Sequence, residues 1–270
     1  MTSFTERNMV LVKILKFGTW LMVGSLCVYL AGCNRDKAFS WINPPSQMIE
    51  GLQHHVVYSQ YEKTEMGLSI LVPAEYQNTP NKRYSVVYYL HGWGGNESSE
   101  INDIQKFIQR IPKHNNGMPI IVYPNGGRSG YFGSTENRII KELIPYIDNN
   151  FKTMASREGR HLLGFSMGGT AALRLALKYP DLFTSAASLG GRLWQGDESL
   201  TEAIDVNQHK VKAFKTRLLF VQGEQDGPDQ FHAVTRKLSD LEIPFKAQIL
   251  PNTSHNLTSY LEQSVLFYTF

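Results

Sequence analysis

Short runs of β-branched and aromatic residues alternate along most of this chain with stretches in which apolar residues recur every three or four positions. The run at 84–90 (YSVVYYL) is the clearest strand signal, because its residues fit a pleated surface and are apolar on both faces. Strands are predicted on the same grounds at 55–61, 68–72, 119–123, 161–165, 184–189, 217–222 and 245–250. Helices are predicted at 101–111, 136–149, 169–178, 200–214, 229–241 and 257–267. Short apolar strands separated by helices require parallel pairing through crossover connections, with both sheet faces covered. The predicted class is therefore α/β, a doubly wound, mostly parallel sheet with helices on both faces. In such sheets ligands bind beyond the carboxyl ends of the strands, so the residues just past each strand carry the functional information.

Composition narrows the possibilities. With 270 residues, 42% of them hydrophobic and 19% charged, the chain can bury one large core. The net charge of +3 owes much to Arg7, Lys13 and Lys16 near the amino terminus, and the nearly neutral remainder argues against a nucleic-acid partner. Cys27 and Cys33 are the only cysteines, so nothing after position 33 can form a disulfide or offer a thiolate to a metal, and no metal or organic cofactor is expected.

The amino-terminal cations precede an uncharged run at 17–32, too short for a typical spanning helix but suited to the apolar core of an export signal. It ends in Leu30-Ala31-Gly32-Cys33, which resembles the bacterial lipobox. The resemblance implies acylation of Cys33 and an exported, membrane-anchored lipoprotein, and Asn34 rather than Asp after the cysteine favours the outer membrane. An uncleaved anchor helix over 9–30, with Lys13 and Lys16 snorkelling, is the alternative. The expected organisation is a signal peptide at 1–32, a tether at 33–53 and a catalytic domain at 54–270.

The strand predicted at 161–165 runs into Gly164-Phe165-Ser166-Met167-Gly168-Gly169, a G-x-S-x-G pattern leading into a helical run. That context is a nucleophile elbow: the serine sits on a sharp turn, and small neighbours let strand and helix approach closely. A serine hydroxyl needs a base to take its proton, and the base needs a carboxylate to orient it. Asp226 lies after the strand at 217–222 and His255 after the strand at 245–250, giving the chain order Ser, Asp, His of α/β-hydrolases. Glu224 and Asp229 are rival carboxylates. His54, His55, His114, His161, His209 and His232 fit surface or local hydrogen-bonding roles better. Acyl transfer also needs amide donors for an oxyanion. Met167 is expected to supply one. The glycine-rich turn His91-Gly92-Trp93-Gly94-Gly95 after the strand at 84–90 supplies the other, from Trp93 or its rival Gly94, with His91 as a hydrogen-bonding residue under the loop.

Taken in order, Leu90-His91-Gly92-Trp93-Gly94-Gly95, Val122-Tyr123-Pro124-Asn125-Gly126-Gly127, Glu142-Leu143-Ile144-Pro145-Tyr146-Ile147, the elbow, and Tyr179-Pro180-Asp181-Leu182-Phe183 resemble the esterase D superfamily of α/β-hydrolases. That group includes feruloyl and acetylxylan esterases, S-formylglutathione hydrolases, enterochelin esterases and mycolyltransferases. The resemblance spans most of residues 55–260 and implies Ser166 as nucleophile, Asp226 and His255 as its partners, and Trp93 and Met167 as oxyanion donors. Asn125 and Ser188-Leu189-Gly190-Gly191 depart from the common pattern, and no cysteine is present to match the loop expected of S-formylglutathione hydrolases.

Trp93 and Tyr131 are candidate substrate contacts, with Arg128, Phe132 and Trp194 as further loop residues that could wall a pocket. The expected activity is a serine carboxylesterase acting on a small or oligomeric ester. An acyltransferase or a peptidase on the same triad, and a non-catalytic surface-anchored binding module, are the alternatives.

Overall fold

The computed structural model describes residues 39–110, 117–193, 197–227 and 231–263. Among these, eight strands form one sheet: β1 (Leu52–Ser59), β2 (Thr64–Leu71), β3 (Val86–Leu90), β4 (Ile120–Pro124), β5 (Arg160–Phe165), β6 (Ser185–Leu189), β7 (Arg217–Gly223) and β8 (Lys246–Leu250). Their spatial order is β1-β2-β4-β3-β5-β6-β7-β8. The β1–β2 and β2–β4 pairs are antiparallel, and every later pair is parallel. The helices are α1 (Ile101–Arg110), α2 (Ser134–Arg138), a π-helical turn (Ile139–Leu143), α3 (Ile144–Asn150), α4 (Met167–Lys178), α5 (Ser199–Phe214), α6 (His232–Asp240) and α7 (Leu257–Gln263).

Strand side chains alternate between faces, and the core divides accordingly. Val87 and Tyr89 of β3 pack with Ile104 and Phe107 of α1 and with Tyr260 and Leu261 of α7. Val86, Tyr88 and Leu90 face the other layer, with Ile144 and Ile147 of α3, Leu173 and Ala176 of α4, Ile204 of α5 and Leu238 of α6. Because both faces are covered, β3, β4 and β6 are buried along their whole length, which is why β3 and β4 read as unbroken apolar runs, while β6 buries Ser185 and Ser188 among small apolar residues. The predicted doubly wound, mostly parallel architecture is the observed one.

Element boundaries differ where polar residues or proline intervene. The first strand begins at Leu52 rather than 55, and the second at Thr64 rather than 68, because the hairpin pairs Ser59 with Thr64 across a tight turn in which Lys63 takes φ 57°. The helix predicted at 136–149 is continuous from Ser134 but widens into a π turn at Ile139–Leu143. Pro145 explains the widening, since it has no N–H and its ring crowds the carbonyl four residues back. The helix predicted from 229 begins at His232, and the last one is described only as far as Gln263.

The segment expected to be a tether is docked where it is described. Gly67 N–H donates to the Trp41 carbonyl (2.7 Å), and Asn125 Nδ2 donates to the Ser40 carbonyl (3.2 Å). The hub is Glu97, whose carboxylate is fully buried and accepts from Asn43 N–H, Asn43 Nδ2 (3.2 Å) and Asn125 Nδ2 (2.8 Å), with His54 Nε2 at 3.3 Å. A carboxylate removed from water is tolerated when donors surround it, and here half of them come from residues ahead of the sheet. Residues from Ser40 onward form one compact unit. Cys33 and the segment expected to direct export lie outside the described residues.

Candidate active site

The elbow forms because β5 and α4 meet too closely for ordinary side chains. A Cβ on Gly164 would lie 2.1 Å from the Gly168 carbonyl oxygen, and one on Gly168 would lie 1.9 Å from the Leu90 carbonyl oxygen. Ser166, at the apex, takes φ 54° and ψ −120°, a strained conformation for a residue with a side chain. Its N–H donates to the Leu189 carbonyl (2.9 Å), and Thr170 N–H donates to the Ser166 carbonyl (3.2 Å), locking the turn between sheet and helix. Apart from Lys178, α4 is buried throughout, so the serine is held by a rigid support.

The loops after β7 and β8 are zipped together. Glu224 N–H donates to the Leu250 carbonyl (2.9 Å), Gln225 N–H to the Thr253 carbonyl (2.9 Å), and Asn252 N–H to Glu224 Oε2 (2.9 Å). This brings Asp226 and His255 into register. The imidazole stacks on Phe165, with ring centroids 4.8 Å apart and planes 24° apart. His255 Nδ1 lies 2.8 Å from Asp226 Oδ2, and its Nε2 lies 2.9 Å from Ser166 Oγ. Three side chains 89 residues apart at the extremes thus form one continuous hydrogen-bonded line. Of the rival carboxylates, Glu224 caps the Asn252 amide instead of facing the histidine, and Asp229 lies outside the described residues.

Asp226 has two further partners that no sequence signal announces. Tyr260 O–H donates to Asp226 Oδ2 (2.5 Å) while accepting from Gly223 N–H (2.6 Å), and the Arg192 guanidinium meets Asp226 Oδ1. Burial, and after it the bond to Asp226, raises the Tyr260 phenol above its ordinary pKa, so it acts as a donor. Tyr260 sits five positions after His255 on the buried face of α7, a spacing without a motif of its own.

The glycine-rich loop after β3 lies against the serine: a Cβ on Gly92 would be 3.4 Å from Ser166 Cβ. Met167 opens α4, where the first N–H groups have no partner within the helix. His91 is buried beneath this loop. Its Nδ1 lies 2.8 Å from the Gly92 carbonyl, and its Nε2 accepts from Gly126 N–H (2.9 Å). It therefore holds the peptide whose other end is the Trp93 amide. Trp93 itself is exposed on the loop surface. Tyr131 is placed differently from expectation. Its ring is fully buried, its O–H reaches toward the His91 carbonyl (3.4 Å), and a Cβ on Gly126 would collide with it at 2.2 Å. It shapes the loop from below and presents no surface to a substrate. Phe132 is partly exposed, with the Arg174 guanidinium 3.5 Å from its ring centre, and Arg128 is exposed. Trp194 and His114 lie outside the described residues. The other histidines lie away from the serine. His54 faces Glu97, His55 faces Tyr146, His161 faces Ser185, and His209 and His232 are exposed on α5 and α6.

Burial pushes His91 down to about 4 and His161 to about 3. Both stay neutral in the fold, whereas the unfolded chain protonates each near pH 6.5. Stability from this source is complete above that pH and is lost as pH falls toward the folded values, by about 1.4 kcal/mol per pH unit for each group. Denaturant titrations at pH 7, 6 and 5 are expected to show the advantage of wild type over His161→Asn shrinking at about half that rate between pH 7 and 6 and close to it between pH 6 and 5. A constant difference across the range would contradict this reading.

A mostly parallel eight-stranded sheet with a strand–elbow–helix at its centre is the α/β-hydrolase fold. A family model described as "Esterase: Putative esterase" matches residues 59–234, and the chain belongs to that family. Esterase Rv1288 of Mycobacterium tuberculosis is 36% identical over 136 residues, covering 46% of this chain and 29% of that protein. The Endo-1,4-beta-xylanase/feruloyl esterase of Xylanibacter ruminicola is 33% identical over 129 residues, covering 43% and 18% respectively. The chain thus spans less than a third of the length of these curated relatives. Among solved structures, a ferulic acid esterase is similar with a TM-score of 0.68 at 18% identity, covering 78% of this chain and 93% of that one, a likeness of fold.

Proposed function

We propose that this chain is a serine carboxylesterase that works through an acyl-enzyme. The observation that carries the reading is the unbroken Ser166–His255–Asp226 line, with Nε2 2.9 Å from Oγ and Nδ1 2.8 Å from the carboxylate. Family membership supports ester hydrolysis as the chemistry. Ser166 Oγ attacks the ester carbonyl carbon as His255 Nε2 takes its proton. The carbonyl oxygen becomes an oxyanion, received by the Met167 and Trp93 amides, and collapse breaks the C–O bond as His255 returns the proton to the departing alcohol. Water then repeats the sequence on the acyl-serine and releases the acid. Asp226 holds the imidazole in the required tautomer and stabilises its charged form. These steps balance with side chains, backbone amides and water alone.

A fluorophosphonate probe is expected to label the wild type at Ser166 and to leave Ser166→Ala unlabelled, while the wild type turns over a nitrophenyl acetate. Equal labelling of both proteins would remove the proposal.

We also propose that Cys33 is acylated and that the chain is an exported, membrane-anchored lipoprotein, supported by the succession of amino-terminal cations, an uncharged run and Leu30-Ala31-Gly32-Cys33. Several acyl chains at about 0.8 kcal/mol per buried CH₂ make such an anchor durable. In a bacterial host fed a clickable fatty acid, wild type is expected to carry the label and Cys33→Ser to lose it. Label retained in the variant would refute lipidation at this position.

A further inference from the structure

The carboxylate of the triad is gripped from a side that the esterase mechanism does not use, a grip whose catalytic value rests on the esterase reading. Asp226 is 2% exposed, with Oδ2 shared by His255 Nδ1 (2.8 Å) and Tyr260 O–H (2.5 Å). Its Oδ1 meets Arg192, in the loop after β6, whose side chain is 40% exposed against 0% for the carboxylate. Arg192 is anchored at both ends. Its carbonyl accepts from Thr170 Oγ1 on α4 (2.8 Å), and its Nη1 would lie 3.6 Å from a Cβ on Gly227, against the turn that carries Asp226. Three donors from three separate elements leave the carboxylate little freedom to rotate.

We propose that Arg192 is a positioning residue for the triad, fixing the plane of the Asp226 carboxylate and, through it, the direction in which the His255 ring faces Ser166 Oγ. A carboxylate free to turn about its Cβ–Cγ bond would let the imidazole that it holds drift away from Ser166 Oγ, so fixing the carboxylate plane fixes the ring. The groups around the imidazole are Asp226 from the β7 loop, Arg192 through Asp226 from the β6 loop, Tyr260 from α7, and Ser166 with the Phe165 ring from the elbow. Glu224, in the same loop as Asp226, is turned to the Asn252 amide. Arg192 is the cation of this set. Its planar fork suits a carboxylate better than an ammonium does, which separates the effect of charge from that of geometry.

The test is kcat and KM for a small neutral ester, together with Tm, measured on the full chain as wild type, Arg192→Gln and Arg192→Lys. Arg192→Gln is expected to lower kcat about tenfold with KM unchanged. Arg192→Lys keeps the charge without the planar fork and is expected to recover only part of kcat. Unchanged kcat in Arg192→Gln, or a loss carried by KM instead of kcat, would overturn the inference alone, provided that wild-type turnover depends on Ser166. Wild-type protein without Ser166-dependent turnover would instead overturn the esterase reading and this inference with it.

Discussion

Replacing Ser166 by alanine is expected to lower kcat by at least about a thousandfold while KM changes little. The reason is geometric. Oγ sits 2.9 Å from the only imidazole in reach among the described residues, and that imidazole is stacked on Phe165 and tied to a buried carboxylate. Removing the hydroxyl deletes the proposed nucleophile but leaves the loop after β3 and the start of α4 in place, so substrate binding is expected to survive. The strained φ of 54° adds an internal control, because glycine at the same position has no side chain to strain. Ser166→Gly should be as inactive as Ser166→Ala yet more stable, by roughly 1 kcal/mol. Steady-state kinetics with thermal melts check both points, and an alanine variant retaining a tenth of the wild-type rate would exclude Ser166 as the nucleophile.

The second large effect is expected at Gly168. Its missing Cβ would lie 1.9 Å from the Leu90 carbonyl oxygen and 2.7 Å from that of His91, both backbone atoms with no rotamer to escape through. Gly168→Ala must therefore push α4 away from the end of β3, separating the Met167 amide from the loop that carries Trp93. A loss of about 3 kcal/mol or more, read as a fall in Tm of roughly 10 °C, and near-complete loss of turnover should result. Gly94→Ala is the contrasting case. Nothing lies within 4 Å of its Cβ position, so only the φ of +80° opposes the substitution, at about 1 kcal/mol. If Gly168→Ala proved as mild as Gly94→Ala, the close approach of helix and strand would not be what holds the elbow.

The parts legible in the sequence share a cause. Buried parallel strands declare themselves as apolar runs, and parallel topology places all their carboxyl ends on one rim, so Ser166, Asp226 and His255 can be picked out by tracing each strand to its end. Other features lack such a rule. Strand β1 carries Gln53, His54 and His55, and β2 starts with Thr64 and Glu65, because the hairpin at the sheet edge is only partly buried. Tyr131 reads as a loop aromatic because nothing local shows that Gly126 leaves space for its ring. Arg192 and Tyr260 meet Asp226 through a loop conformation and a helix docking that no spacing encodes. The π turn is foreshadowed by Pro145 alone, since a proline within a long amphipathic helix must displace a hydrogen bond.

Glu97 bears on where this protein can be cut. A boundary drawn at residue 54 respects the apolar pattern but removes the donors of Asn43 and the first two residues of β1. The shortened polypeptide would hold a carboxylate with half its donors gone, a defect worth several kcal/mol for a charge kept from solvent. A minimal fragment for expression therefore has to start at or before Ser40, and the stretch ahead of the sheet belongs to the folded unit.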